Sequence, residues 1–258
     1  MLPNQQIYTQ PEVALQYARQ SDLQPPEEVI LRAMLPKLIN ARMLDLGVGG
    51  GRTTLHFAKW VREYVGVDYS TRMIGECNRR FAGYPLDLEF RVADARSMEI
   101  FKEGSFDFIL FSFNGIDYVT HEDRLVIFRE IRRVGKVGGH FCFSSHNLNW
   151  CKNFFDWKKI FRFSPKVPLQ PLRRIARRFI FNRDLTASAL KNSSYVMFKD
   201  GAHGNLSTYY VRPQEQLEQL SSGFTAVRIF ALNGDELKNQ IDLTTNEDPW
   251  LYYLCELR

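Results

Sequence analysis

The chain has 258 residues, of which 45% are hydrophobic and 14% aromatic, and a formal net charge of +5. This composition excludes a disordered chain, and no apolar run approaches the roughly 20 residues needed to span a bilayer. The length suits one α/β domain with an insertion, and the absence of a secretory signal and of any C-x-x-C pair leads us to expect a cytoplasmic protein with reduced thiols.

Helix-like and strand-like segments alternate from residue 25 to about residue 146. The first, PPEEVILRAMLPKLI, opens with the prolines and acids that favour a helix start. The predicted helices of this part span residues 25–39, 53–61, 70–81 and 121–135, with Ser70 or Thr71 capping the third. The predicted strands span residues 42–47, 63–68, 88–94, 106–113 and 138–145.

These strands are continuously apolar rather than alternating, and each successive pair is separated by a helix-length segment. Strands of that kind are typical of a parallel sheet that is covered on both faces. The order of elements therefore predicts a doubly wound α/β fold with helices on both faces of the sheet.

The regular pattern breaks after Asn147 and resumes near residue 206. Residues 148–205 hold 12 Lys and Arg but only 3 Asp and Glu, and they include the aromatic, proline-interrupted stretches FFDWKKIFRF and PLRRIARRFIFNR. We interpret them as a basic, aromatic cap inserted into a domain formed by residues 25–147 and 206–258, with residues 1–24 as an N-terminal covering segment. A final helix at 212–224 and strands at 225–232 and 249–257 complete the domain.

The stretch LDLGVGGGRTT joins the first predicted strand to the next helix. Its glycines either form a tight turn or let the main chain approach a ligand without a Cβ in the way. A dinucleotide fingerprint, G-x-G-x-x-G, would need a third glycine at the position of Arg52. The observed spacing, with Asp45 followed by Gly47, Gly49 and Gly51, therefore weakens the case for a pyrophosphate ligand.

Two further acids close the next two strands of the predicted sheet. Asp68 ends the second strand, where a carboxylate can accept hydrogen bonds from both ribose hydroxyls. Asp94 ends the third strand, where an acid can bind an exocyclic amine while Ala95 leaves room for a flat ring. Each could instead cap a helix, but three acids at three successive strand ends favour a nucleoside site.

The motifs LDLGVGGGRTT, VGVDYS, VADA, FDFILFSFNGIDYV and REIRRVGKVGGHFCFSSHN occur in this order along the chain. Together they resemble the class I S-adenosylmethionine-dependent methyltransferases, particularly those that act on small molecules. The resemblance covers about three quarters of the chain. It implies a seven-stranded, mostly parallel sheet whose last strand is antiparallel, with S-adenosylmethionine as the cofactor.

The resemblance also implies where the cofactor would lie. The glycines would pass under its methionine and ribose, Asp68 would hold the ribose hydroxyls, and Tyr69 would lie against the adenine. Asp94 and Ala95 would face the adenine amine and ring, and residues 111–114 would follow the methionine side. The predicted cofactor-binding residues are Asp45, Gly47, Gly49, Gly51, Asp68, Tyr69, Asp94, Ala95, Phe111, Phe113 and Asn114.

Methyl transfer from a sulfonium is an in-line displacement that depends on alignment, and it needs a general base only when the acceptor is protonated. Candidates for the acceptor site follow strands four and five: Asn114, Asp117, Tyr118, His146 and Asn147. His203 is added because the cap rejoins the domain there. The predicted catalytic residues are His146, Tyr118 and His203, although each histidine could be an ordinary capping or surface residue.

Several acceptor classes can be ranked on the sequence. SFNGIDY stands where N/D-P-P-Y/F would mark enzymes that methylate base amines or glutamine amides, and no clustered ligand set predicts a metal. We expect methyl transfer to an oxygen or nitrogen of a small molecule, for which an anionic or amphipathic compound is one candidate, with peripheral membrane contact as an alternative role of the cap. An RNA or protein methyltransferase and a non-catalytic cofactor-binding domain stay open, whereas a dehydrogenase is disfavoured.

Overall fold

The computed structural model describes residues 11–155, 182, 185–199 and 207–258. Ten strands form one sheet within this part of the chain. The strands are β1 (Arg42–Leu46), β2 (Glu63–Asp68), β3 (Leu88–Val92), β4 (Phe106–Phe111), β5 (Gly135–Asn147), β6 (Tyr195–Lys199), β7 (Ser207–Val211), β8 (Phe224–Phe230), β9 (Glu236–Leu237) and β10 (Trp250–Leu257).

Eight α-helices accompany the sheet in the described residues. They are α1 (Pro11–Ala18), α2 (Pro25–Leu38), α3 (Thr54–Phe57), α4 (Thr71–Arg80), α5 (His121–Val134), α6 (Ala187–Asn192), α7 (Pro213–Ser221) and α8 (Gln240–Thr245). Short 3-10 turns at Ala58–Trp60, Gly115–Tyr118 and Leu148–Phe155 join them. No helix in the described ranges combines the length and the apolar character needed to cross a bilayer.

The strand order β3-β2-β1-β4-β5-β10-β8-β9 confirms the predicted doubly wound α/β fold. Strands β1 to β5 pair in parallel, and β10 inserts antiparallel between β5 and β8. These seven strands, up to β8, are the ones that the sequence predicts. The count of seven is too low for the whole sheet, because β9 adds a two-residue hairpin strand and the β6–β7 hairpin continues the sheet beside β5.

Successive residues of the central strands face opposite helical layers. In β4, Phe108 and Leu110 pack with α2, whereas Ile109 and Phe111 pack with α5. Both faces of the strand are therefore apolar, which explains why its sequence shows a continuous hydrophobic run. Burial on both faces fixes the position of the strand ends, where the polar residues of the candidate site lie.

The helix boundaries follow local capping chemistry. The Ser70 side chain accepts a hydrogen bond from the Met73 amide, and Thr120 caps α5 in the same way through the Asp123 amide. The helix predicted at 53–61 is shorter, since α3 ends at Phe57 and a 3-10 turn follows. The chain thus reaches β2 after little more than one turn.

The predicted cap is only partly described. Helix α6 and strand β6 lie within residues 148–205, and β6 pairs antiparallel with β7, which begins just beyond the predicted boundary. Strand β7 then pairs in parallel with His146 and Asn147 at the end of β5. Residues 156–181, which carry most of the basic and aromatic pattern, lie outside the described residues, so their amphipathic character and membrane contact stay predictions.

Candidate active site

A cleft of about 930 Å³, partly open to solvent, lies at the carboxyl ends of the parallel strands. This is the edge at which open α/β sheets bind ligands. Three stretches supply most of its wall: the loop after β1, the end of β2 and the segment after β4. Of the eleven predicted cofactor-binding residues, the cleft is lined by Asp45, Gly47, Gly49, Asp68, Tyr69, Ala95, Phe111 and Phe113.

The glycine loop makes a tight turn and also forms part of the cleft wall. Gly47 and Gly49 line the cleft, and both have positive φ angles, of 64° and 54°. Gly51 also has a positive φ, but it packs against the Phe81 ring, which a Cβ would approach to 2.4 Å. Gly51 is therefore required by packing, while Gly50, which the sequence did not single out, lines the cleft.

Asp68 presents a buried carboxylate at the end of β2. Its Oδ2 accepts a hydrogen bond from the Gly49 amide at 3.1 Å and its Oδ1 accepts one from the Ser70 amide at 2.8 Å. Burial raises the pKa of Asp68 to about 6, although the two amide hydrogen bonds oppose the shift. Each oxygen retains acceptor capacity, so the carboxylate suits a ligand that brings two hydroxyl donors.

Asp45 plays a more structural part than Asp68. It is almost fully buried and accepts hydrogen bonds from the Thr53 hydroxyl and the Tyr64 hydroxyl, both at 2.5 Å. Burial raises the pKa of Asp45 to about 6, against the effect of these two hydrogen bonds. The residue ties β1 to the start of α3 and to β2 while it borders the cleft.

Asp94 and Ala95 lie beside the cleft in different ways. Ala95 contributes to the wall, but the Asp94 carboxylate, which is not among the lining residues, forms an ion pair with Arg96 at 2.6 Å. Burial would raise the pKa of Asp94, but the hydrogen bonds and charge of Arg96 hold it below its usual range. A ligand amine would have to compete with Arg96 for this carboxylate.

The segment after β4 has an unusual backbone. Phe113 and Asn114 both have positive φ angles, 56° and 61°, in a region that non-glycine residues seldom occupy. Phe113 lines the cleft, whereas Asn114 is buried behind it, with its amide donating to the Ser144 hydroxyl at 2.8 Å. Among the described residues, no group hydrogen-bonds to Asn114 Oδ1. Such strain concentrates at functional sites.

A buried ion pair beside the cleft was missed on the sequence. Arg52 donates to both carboxylate oxygens of Glu27, at 2.5 and 2.7 Å, and Ser112 and Tyr252 also donate to Glu27. Burial would raise the pKa of Glu27, but Arg52, with the hydroxyl of Ser112 and the Gln24 amide, holds it below its ordinary value. In the sequence, Glu27 is typical of an acid in the first turn of a helix, so no local pattern predicted its ion pair with Arg52.

Helix α1 lies against the glycine loop. A Cβ on Gly50 would stand 2.4 Å from both Cα and N of Ala18, so the two backbones are in direct contact. Tyr17 and Gln20 consequently line the cleft. Both residues belong to the predicted N-terminal segment of residues 1–24, of which residues 1–10 lie outside the described part.

The predicted catalytic residues separate into three cases. Tyr118 lines the cleft, and His146 lies one layer further, with its ring centroid 6.4 Å from that of Tyr118. His146 Nδ1 is 2.7 Å from Asp117 Oδ2, and the fully buried Asp117 is also paired with Arg124. His203 lies outside the described residues. The described part holds no group of His, Cys, Asp and Glu that could ligate a metal.

Comparison with known proteins agrees with this geometry. Residues 43–139 match the family model described as a methyltransferase domain. A curated relative, the uncharacterized methyltransferase YcgJ of Bacillus subtilis, is 34% identical over 109 residues. That match covers 41% of this chain and only 40% of the relative's length.

Solved structures extend the similarity of the fold to most of the chain. An S-adenosylmethionine-dependent methyltransferase from Mesorhizobium loti has a TM-score of 0.59 at 19% identity, covering 90% of this chain and 98% of that one. The N-methyltransferase NodS of Bradyrhizobium japonicum, solved with S-adenosyl-L-homocysteine, has a TM-score of 0.54 at 13% identity, covering 95% and 97%. The chain therefore has the class I Rossmann-like fold of these methyltransferases, and the stretch that matches the methyltransferase domain model is residues 43–139.

Proposed function

We propose that the protein binds S-adenosylmethionine in the cleft and transfers its methyl group to an oxygen or nitrogen of a small molecule. The observation that carries the proposal is the buried Asp68 carboxylate facing the cleft beside the left-handed glycine turn. The matched methyltransferase domain supports the same reading over residues 43–139.

The residues present fit the cofactor on chemical grounds. Asp68 keeps an acceptor position on each oxygen for a pair of ribose hydroxyls. The wall is mainly apolar, with Ala93 and Ala95 on one side and Phe111 on the other, so it can enclose a flat ring. Acidic groups rather than a phosphate cradle suit a cationic ligand, and the cofactor when bound supplies an electrophilic methyl group on a sulfonium.

The contribution of the protein to such a transfer is alignment and exclusion of water. Tyr17 of α1 and Gln20, just after that helix, line one part of the cleft, and Phe113 and Tyr118 line the part toward the acceptor region. The acceptor would approach from the side where β5, β7 and the cap meet. Holding the two reactants in line can supply much of the rate enhancement.

Calorimetry with S-adenosylhomocysteine or S-adenosylmethionine tests the proposal directly. We expect saturable binding to the wild type, weakened by about 1–3 kcal/mol in Asp68→Ala because buried partners lose a hydrogen-bond acceptor. Incubation with methyl-labelled cofactor and fractionated cell extract should then transfer label to a small-molecule fraction. A wild-type protein that binds neither cofactor form would refute the proposal.

A further inference from the structure

His146 is the end of a buried polar chain that begins at Arg124. Asp117 and Arg124 are fully buried, and His146 is 7% exposed. Asp117 Oδ1 accepts hydrogen bonds from Arg124 Nη1 at 2.5 Å and from the Ser145 hydroxyl at 2.8 Å. Its Oδ2 accepts from the His146 amide at 2.6 Å and is 2.7 Å from His146 Nδ1.

This series of hydrogen bonds determines which nitrogen of the His146 ring carries the proton. Because all other partners of Asp117 donate to it, the carboxylate is an acceptor at every contact, and the proton of neutral His146 belongs on Nδ1. The lone pair then lies on Nε2. The neighbour of Nε2 is Asn114 Nδ2, at 3.5 Å, which is too long for a strong hydrogen bond.

Aromatic rings pack around His146. The Tyr210 ring centroid is 4.9 Å from that of His146, and the Trp250 centroid is 6.1 Å away. Phe113, whose ring is 6.3 Å from Trp250, lines the cleft together with Tyr118. Aromatic side chains therefore connect the lining of the cleft with the surroundings of the imidazole, and a flat apolar acceptor that reached His146 from the cleft would pack against them.

The polar groups among these rings favour one kind of methyl-accepting atom over another. Nε2 of His146 offers a lone pair and Nδ2 of Asn114 offers a proton, side by side. A hydroxyl can donate to the first, accept from the second, and still hold a lone pair for the methyl group. A neutral amine has a single lone pair, which cannot both accept from Asn114 and attack the methyl carbon.

Asn114 supplies an independent indication that a polar ligand binds here. Its side chain is 95% buried, yet its Oδ1 has no hydrogen-bond partner within the described residues. A buried polar atom without a partner costs free energy. A second donor on the ligand, such as a neighbouring hydroxyl, would satisfy it.

We propose that the methyl acceptor is a hydroxyl oxygen on a flat, largely apolar molecule, and that His146 is its general base; this rests on the proposed function. The acceptor oxygen forms the new bond to the methyl carbon while the carbon–sulfur bond breaks and its electron pair stays on sulfur. His146 Nε2 takes the hydroxyl proton and later releases it to water. The products are a methyl ether, S-adenosylhomocysteine and a proton. Asp117 and Arg124 are positioning residues that hold the imidazole.

The test uses three acceptors on one ring system with the full-length protein and S-adenosylmethionine: 2-naphthol, 2-naphthylamine and 2-naphthoic acid. We expect the methyl ether of 2-naphthol and no methylation of the other two. His146→Ala should lower kcat/KM by about 10²–10⁴-fold, the usual contribution of a general base. The Kd for S-adenosylhomocysteine should stay within about twofold, and added imidazole should restore part of the rate.

The outcomes separate the two proposals. Methylation of the amine or the acid in preference to the naphthol, or no ether from the naphthol while the cofactor binds, overturns the hydroxyl inference alone. Failure of the wild type to bind the cofactor removes the proposed function itself. If His146→Ala does not fold, the wild-type product pattern still decides the acceptor. With S-adenosylmethionine kept saturating at every pH, so that protonation of Asp68 does not contribute, an acid limb of kcat/KM for the acceptor that is present in the wild type and absent in a folded His146→Asn variant decides the base.

Discussion

At the scale of single residues, the carboxylates in and beside the cleft have different environments. Asp68 and Asp45 are buried with neutral hydrogen-bond donors around them, so burial raises the pKa of each to about 6. Asp94 faces Arg96, and Glu27 faces Arg52, and in both cases the pKa is lowered. Acids that look alike in the sequence thus have pKa shifts of opposite sign, and the Asp68 carboxylate lines the cleft with acceptor capacity left on each oxygen.

The raised pKa of Asp68 predicts a pH-dependent affinity for the cofactor. Above about pH 6 the carboxylate is ionised and accepts from both hydroxyls, whereas below it protonation removes an acceptor. The Kd for S-adenosylhomocysteine should be constant above neutral pH and rise by up to about tenfold per pH unit below the pKa. Calorimetry across this range measures the effect.

The stability of the free protein should move in the opposite direction. A raised folded-state pKa means that the contribution of Asp68 to stability is complete below the pKa of the unfolded chain, near 4, and is lost as the pH rises through about 6.

The pH dependence of binding has its own controls. Asp68→Asn should bind S-adenosylhomocysteine weakly with a flat pH profile, and Asp45→Asn serves as the matched control that retains the weakening of binding at acid pH. An acid limb that persists in Asp68→Asn would assign it to another group.

The Glu27–Arg52 ion pair predicts a large stability effect. Glu27→Gln preserves shape but leaves the Arg52 guanidinium, which is 8% exposed, without a counter-charge. We expect the free energy of unfolding to fall by about 3–5 kcal/mol, as for other buried pairs that lose one partner. Glu28→Gln, in the exposed pair with Arg32, is the control and should change stability by less than about 0.5 kcal/mol. Urea denaturation measures both, and equal effects would contradict the assignment.

At the scale of elements, the cleft depends on α1 lying against the glycine loop. Gly50 touches the backbone at Ala18, and the chain on either side places Tyr17 and Gln20 in the cleft wall. Among the described elements, the main helical neighbour of α1 is α4. The helix therefore completes the site from outside the sheet.

Gly50→Ala should displace α1 without disturbing the sheet. The added Cβ would meet main-chain atoms at 2.4 Å, which a side-chain rotation cannot relieve. We expect at least a tenfold loss of S-adenosylhomocysteine affinity, by calorimetry, together with faster proteolysis within residues 11–20. The control is Gly75→Ala in α4, where a Cβ meets nothing within 4 Å. That variant should keep its affinity and gain about 0.5–1 kcal/mol of stability. Unchanged affinity in Gly50→Ala would show that α1 is dispensable for binding.

At the scale of the whole molecule, the sheet brings distant parts of the chain to one edge. Glu27 from α2, Arg52 from the glycine loop, Ser112 after β4 and Tyr252 of β10 meet in one hydrogen-bonded cluster. The β6–β7 hairpin adds Tyr210 beside His146 at the end of β5. A ligand in the cleft would contact several of these elements at once and should stabilise the fold as a unit.

Ligand binding should therefore raise the melting temperature in proportion to affinity. S-adenosylhomocysteine at 100 times its Kd should add about 2.7 kcal/mol to the free energy of unfolding. Thermal denaturation with increasing ligand measures this, and Asp68→Ala at the same ligand concentration should show a much smaller shift. A melting temperature independent of ligand concentration would contradict binding to the native state.

The sequence alone determined the order of elements and most of the cofactor side of the cleft. Continuous apolar strands, glycines after β1 and acids at three strand ends are local patterns, because the carboxyl end of a parallel strand places its next residues at the binding edge whatever the details of packing. Asp68, Gly47 and Gly49 could be named on that basis, and Phe111 and Phe113 from the family resemblance; all five line the cleft.

Only the tertiary structure decided how those residues are used. Arg96 forms an ion pair with the Asp94 carboxylate, the Phe81 ring leaves no room for a Cβ at Gly51, and the strands β6 and β7 extend the sheet. None of these features follows from the spacing of residues in the sequence. Glu27 and Arg52 are 25 residues apart, and Arg124 reaches Asp117 and Gln216 across separate elements. Burial creates these pairings, because a charge removed from water needs a partner. The packing of the fold, rather than the neighbouring sequence, determines which residue is close enough to be that partner.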